Sequence, residues 1–240
     1  FVSLVPTQLR RLLDSAEDAR ALRGFHTVLL GGGPIDPALR ARAAQEGVRV
    51  VATYGSAETA GGCVYDGMPL DGVGVAIGRD GRIRLAGPTL FACYEGDPEL
   101  TAEVLVDGWL KTGDLGCFDA EGYLYIVDRV KDMIIRGGLN IYTAQVEQVI
   151  ARMPEVEEVA VIGVEEATWG QEVLAVVKVK AEETLEEQAV IAFCKEHLAA
   201  FKCPRFVRFM DELPKTAIGK VRKHELLRLY GDIADRKSRK

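Results

Sequence analysis

His26-Thr27-Val28-Leu29-Leu30-Gly31-Gly32-Gly33-Pro34-Ile35-Asp36-Pro37 sets the fold class of this chain. Residues 26–30 read as a short buried strand. Three glycines and Pro34 then break it. Asp36 is a good helix N-cap and Pro37 a good first helical residue, so a helix follows, ending near Gly47. Val48 to Thr53 reads as a second strand. Upstream, Gln8 to Leu22 reads as one helix, with Leu9, Leu12, Leu13 and Ala16 along one stripe. Helix, strand, helix, strand is the pattern of a parallel sheet covered by helices.

After Thr59 the segments shorten and glycines become frequent. Gly81 to Ala86 alternates like a half-exposed strand, and Cys117 to Asp128 reads as a hairpin turning at Asp119-Ala120-Glu121-Gly122. This middle section is expected to be antiparallel. A third section starts near Lys131. Thr143 is expected to cap a helix reaching Arg152, with Val146, Val149 and Ile150 inward. Strands follow at Val156 to Val164, Val173 to Lys180 and Arg205 to Met210, with helices at Glu186 to Ala200 and Val221 to Tyr230. The expected architecture is therefore α/β and α+β. Residues 1–130 form the C-terminal part of a large domain, a parallel α/β layer plus a small antiparallel section. Residues 131–240 form a small α+β domain. Phe1 opens the chain in what reads as the middle of a fold, so the sequence is expected to be a fragment.

Net charge is −6 over 240 residues, which disfavours nonspecific binding to nucleic acid or to an anionic membrane. Charged residues gather as a basic run only at Arg236 to Lys240, which reads as a solvated end. The five cysteines, Cys63, Cys93, Cys117, Cys194 and Cys203, contain no Cys-x-x-Cys pair. That gives a zinc site little support and fits a reduced, cytoplasmic setting. No signal peptide is read, and no apolar run is long enough to span a bilayer.

Five motifs could carry chemistry. Gly31 to Pro34 is either a tight strand-to-helix turn or a place where a flat ligand meets bare backbone. In Thr53-Tyr54-Gly55-Ser56-Ala57-Glu58-Thr59, at a strand's carboxyl end, Tyr54 could stack on a base and Glu58 could ligate Mg²⁺; a polar loop is the plainer reading. Asp114, in Gly108-Trp109-Leu110-Lys111-Thr112-Gly113-Asp114, could accept two hydrogen bonds from a ribose diol or be a turn residue. Asp128-Arg129-Val130-Lys131-Asp132, followed by Gly137-Gly138-Leu139-Asn140, reads as a hinge or as a solvated linker. Pro214-Lys215-Thr216-Ala217-Ile218-Gly219-Lys220 puts lysines on a glycine-bearing loop, able to offer a point charge to phosphate or carboxylate; for Lys215 the plain exposed-surface reading is preferred.

Taken in order along the chain, these motifs resemble the later core motifs of the adenylate-forming superfamily: acyl- and aryl-CoA ligases, peptide-synthetase adenylation domains and beetle luciferases. The resemblance spans almost the whole chain. Within the superfamily, Ser3 to Leu9, Leu29 to Asp36 and Glu58 to Gly67 look like the o-succinylbenzoate–CoA ligases of menaquinone biosynthesis.

The resemblance implies an enzyme that takes ATP, Mg²⁺, coenzyme A and a small carboxylic acid, with oligomeric state left open, a homo-oligomer included. By similarity, Gly32, Gly33 and Pro34 line the adenine, with Tyr54 and Gly55 against the base and Ile126 near the purine. Glu58 holds the metal. Asp114 binds the ribose hydroxyls, and Arg129 reaches ribose or phosphate. Lys220 is the catalytic lysine. Lys131 falls at the family's hinge position, where a mobile small domain swings between two half-reactions. That swing withdraws Lys220 and presents Gly137, Gly138 and Asn140 towards the CoA side.

Two departures from the family pattern stand out. Ala57 replaces the usual Thr or Ser before the motif glutamate, removing a hydroxyl. No segment matches the family's glycine-, serine- and threonine-rich phosphate loop. Three alternatives stay open: a ligase for another aryl or fatty acid, a noncatalytic nucleotide-binding fragment, and luciferase-type oxidation, for which no residue speaks.

Overall fold

The computed structural model describes residues 1–216 and 219–234. The basic run at 236–240, and Ala217 and Ile218 of the lysine-bearing motif, lie outside the described residues. The chain divides into two compact units, Phe1–Ile126 and Val127 onward.

The first unit opens with strand β1 (Val2–Leu4), helices α1 (Pro6–Leu13) and α2 (Ala16–Arg23), β2 (Val28–Leu30), α3 (Pro37–Gln45) and β3 (Val50–Ser56). The single helix expected over Gln8 to Leu22 is in fact two. Ser15 is the cause: its hydroxyl accepts the Asp18 N–H at 3.3 Å and caps a new helix. The stripe spacing survives the break, which is why periodicity alone missed it. Asp36 caps α3 as expected, accepting the Ala38 N–H at 2.9 Å. β1, β2 and β3 are parallel neighbours, Val2 beside Val28 and Val28 beside Val50. Leu9, Leu13, Leu22, Leu39 and Ala43 of the three helices pack on Val28 and Leu30 of β2.

β3 outruns its parallel partner. Its second half, Thr53 to Ser56, pairs antiparallel with β4 (Gly61–Tyr65), which pairs in turn with β5 (Met68–Pro69). A second sheet holds β6 (Gly74–Ile77), β7 (Arg82–Ala86), β8 (Leu105–Val106) and β9 (Trp109–Phe118), with helix α4 (Pro98–Val104) leading into β8. β10 (Leu124–Arg129) lies beside β9, and the division between the units falls within it. The expected turn is held by Asp119, whose carboxylate accepts the Glu121 and Tyr123 N–H groups at 3.1 and 2.8 Å.

In the second unit, β11 (Ile134–Arg136) and β12 (Leu139–Ile141) form a hairpin, followed by α5 (Thr143–Ile150), β13 (Val156–Glu166), β14 (Gly170–Val179), α6 (Glu187–His197), β15 (Phe206–Phe209) and α7 (Lys223–Tyr230). The sheet order is β12-β11-β14-β13, with β15 pairing parallel to Leu174–Val177 of β14 along the edge opposite β13. Val173, Ala175 and Val177 face α5 and α6, while Leu174 and Val176 face α7. With both faces covered, the centre of β14, Val173 to Val177, is an unbroken apolar run rather than an alternation. Deleting a side chain such as Leu226, fully buried on α7, typically costs about 2–5 kcal/mol.

Candidate nucleotide and lysine site

In the first unit the fold joins two motifs that are far apart in sequence. Tyr54 sits on β3 and Asp114 on β9, and the Tyr54 hydroxyl donates to Asp114 Oδ2 at 2.9 Å. Asp114 is thus a strand residue, not the turn residue that its neighbours Thr112 and Gly113 suggested. Thr112 steadies it, accepting the Asp114 N–H at 3.2 Å while its hydroxyl donates to the Ile83 carbonyl at 2.7 Å. Burial, then the charge on Asp114, pushes the Tyr54 phenol well above its ordinary range, so it remains a hydrogen-bond donor.

The glycines separate by role. A methyl group at Gly31 would meet Thr53 Oγ1 at 2.3 Å, so Gly31 serves the close approach of β2 to β3. Gly33 has nothing within 4 Å of such a methyl, and Gly32, Gly33 and Pro34 are exposed, so this part of the loop is open to a ligand. At Gly55 a methyl would lie 1.9 Å from the Gly61 carbonyl oxygen, across the β3–β4 pair. Gly55→Ala is therefore expected to force the two strands apart and to destabilise the chain by about 1–3 kcal/mol, as overpacking does. Urea unfolding of the variant checks this; an unshifted midpoint would show that the strands relax freely.

Glu58 lies on a short 3₁₀ turn, Ala57–Thr59, after β3. Hydrogen bonds from the Ser56 hydroxyl and then the Tyr94 hydroxyl hold its carboxyl below the usual glutamate range. Tyr94 Oη donates to Glu58 Oε1 at 2.7 Å, and the Phe91 N–H donates to the Glu58 carbonyl at 2.8 Å. Tyr94 had no signal in the sequence, because its partner is a different, distant motif. Ionised, hydroxyl-supported and half-exposed, Glu58 suits a hard cation that takes its remaining ligands from phosphate and water. Among the described residues no three or more His, Cys, Asp or Glu side chains form a metal-binding group. Ile126 is exposed on β10.

In the second unit, Arg129 ends β10 and is exposed, as is Lys131 just beyond it. Gly137 and Gly138 form the β11–β12 turn with φ of +56° and +80°, the left-handed pair that tight hairpins require. Asn140 is exposed on β12. The expected cap of α5 is corrected. Thr143 is the first helical residue, and the cap comes from Asp128, whose carboxylate accepts both the Thr143 N–H and its hydroxyl.

Lys220 is exposed on a narrow loop. Its N–H donates to Thr216 Oγ1 at 3.1 Å and its carbonyl accepts the Thr216 N–H at 2.8 Å. Lys215 is not a bare surface lysine. It is half-buried and ion-paired to Glu158 on β13 at 2.5 Å, at the base of that loop. The two lysines are thus told apart by structure: one is fastened and one is presented.

Two family models match the chain: AMP-binding enzyme over residues 1–94 and AMP-binding enzyme C-terminal domain over residues 145–220. The chain belongs to the AMP-binding, adenylate-forming enzymes. Its relatives narrow the class. A 2-succinylbenzoate–CoA ligase of Geobacillus kaustophilus is 39% identical, over 95% of this chain and 51% of its own length. That of Listeria innocua is 37% identical, over 94% and 50%. Among solved structures, o-succinylbenzoate CoA synthetase from Bacillus subtilis in complex with the acyl-adenylate intermediate OSB-AMP superimposes with a TM-score of 0.84 at 33% identity, over 93% of this chain and 50% of that one. ATP-bound MatB from Rhodopseudomonas palustris gives 0.88 at 33% identity, over 97% and 51%. The chain spans about half the length of the curated relatives it matches.

Proposed function

We propose that this chain supplies the nucleotide- and lysine-bearing part of an ATP-dependent acid–CoA ligase, with 2-succinylbenzoate as the acid and menaquinone biosynthesis in the cytoplasm as its setting. In the first half-reaction a carboxylate oxygen attacks the α-phosphorus of ATP, and pyrophosphate leaves with the electron pair of the broken P–O bond. In the second, the CoA thiol attacks the acyl carbon, loses its proton, and AMP leaves.

The observation that carries this reading is the Tyr54–Asp114 hydrogen bond. It links the two motifs that the family uses for base and ribose. Tyr54 fixes one Asp114 oxygen, so the carboxylate is oriented before a ribose diol meets it. Pre-orientation of this kind lowers the cost of binding. Gly32, Gly33, Pro34, Gly55 and Ile126 serve the adenine side, and Arg129 the ribose or phosphate. Glu58 would hold Mg²⁺, which when bound neutralises phosphate charge. Ser56 and Tyr94 supply hydroxyl support there although Ala57 has none. Lys220 would meet the charge that develops between carboxylate and α-phosphate. Lys131 would serve as the pivot between half-reactions, and Gly137, Gly138 and Asn140 would attend the CoA step.

The test is ATP–pyrophosphate exchange with a panel of acids, using the 240 residues joined to the remaining half of a relative. Exchange that depends on 2-succinylbenzoate, with its thioester formed once CoA is added, is expected. Exchange driven instead by fatty or simple aryl acids would reassign the substrate, and none with any acid would favour the noncatalytic alternative.

A further inference from the structure

Asp128, Thr143, Glu147 and Lys223 come from three separate parts of the second unit and meet in one network. The Lys223 ammonium donates to Thr143 Oγ1 at 2.8 Å and lies 2.7 Å from Glu147 Oε1. The same Glu147 oxygen accepts the Val161 N–H of β13 at 2.8 Å. Thr143, fully buried, in turn donates a hydrogen bond from its hydroxyl to the carboxylate of Asp128, which is 7% exposed. Such a set is costly to bury unless every member is satisfied. Here the Lys223 ammonium offsets part of that cost, while burial, with the like charge of Asp128 as a smaller cause, still pushes the Glu147 carboxyl up.

The ends of the network matter. Asp128 directly precedes Arg129, and Lys223 opens α7 three positions after Lys220. The Lys220 loop closes on itself through Thr216 and through the Arg222 N–H, which donates to the Pro214 carbonyl at 2.8 Å. One arm of the loop is tied to β13 by Lys215–Glu158 and the other by Lys223 to α5.

We propose that Lys223 is a positioning residue: it fastens the Lys220 loop to the same helix end that Asp128 caps, so that the Arg129 segment and Lys220 are carried as one rigid piece. This rests on the ligase reading for its purpose but not for its geometry. In that reading the two cations address one adenylate, and a shared anchor fixes their spacing. Lys223 itself touches no reactant.

The test is amide hydrogen exchange on the 240-residue chain. In Lys223→Met the Thr216, Lys220 and Arg222 amides are expected to exchange about tenfold faster, as expected when a charge-assisted bond is lost. Amides of Val173 to Val177 should stay protected, and Lys223→Arg should restore most of the loop's protection. If Lys223→Met also exposes the Val173 to Val177 core, Thr143→Val, which removes only the hydroxyl link, is read instead, with faster loop exchange again expected. Unchanged loop exchange over an intact core would overturn the proposal, and so would failure of Lys223→Arg to restore it. The measurement needs no catalysis. A chain that shows the link but supports no pyrophosphate exchange once joined to the remaining half of a relative counts against the ligase reading and leaves the anchor standing.

Discussion

Lys220→Ala is expected to slow adenylate formation about a hundredfold, the loss of roughly 3 kcal/mol typical when one preorganised electrostatic contact is removed from a transition state. The lysine is exposed, and its loop is held at both arms by side chains other than its own. Removing its ammonium therefore leaves the loop in place. Folding should be unaffected, and the loss should fall on the rate rather than on ATP affinity. Thioester formation from supplied acyl-adenylate should be largely spared, because in the proposed reading Lys220 acts only in the first step. Single-turnover measurement of each half-reaction, again with the chain joined to the remaining half of a relative, separates the two. Equal loss of both steps would show that the lysine is not confined to adenylation.

Asp114→Ala should weaken AMP and ATP alike, by about ten- to a hundredfold, since a hydrogen bond to a charged group contributes roughly 1.5–3 kcal/mol. The change removes the proposed ribose acceptor and also strips the half-buried Tyr54 hydroxyl of its partner. Tyr54→Phe separates the two contributions. It keeps the carboxylate and the ring and loses only the orienting bond, so a smaller effect is expected. A nucleotide affinity that Asp114→Ala leaves unchanged would remove the ribose assignment.

The parts of this molecule legible in the sequence were those written locally. Asp36-Pro37 announced α3, the carboxylate of Asp119 announced the β9–β10 turn, and the period of Val146 and Ile150 announced the buried face of α5. What was not legible was either hidden under a stronger local pattern or dependent on partners distant in the chain. The Ser15 cap inside an uninterrupted apolar stripe split one expected helix into two. Thr143 looked like a cap because its type suits one, yet Tyr142 is at the N-cap position and the capping oxygens come from Asp128, 15 residues before Thr143. At the site, the motifs named Tyr54, Glu58, Asp114 and Lys220 as candidates, but composition could not choose between ligand contact and ordinary turn or surface residue. The structure supplied the missing facts: Asp114 is on a strand against Tyr54, Glu58 is braced by Tyr94, and Lys215 is half-buried and ion-paired while Lys220 is exposed.

The central claim, that the 240 residues hold an ordered base-and-ribose site, is tested most directly by calorimetric titration of the chain with AMP and, separately, with ATP and Mg²⁺. The account expects AMP to bind, with ATP gaining little over AMP, because no segment of the chain matches the family's phosphate loop. A chain shown to be folded that takes up neither nucleotide would contradict it.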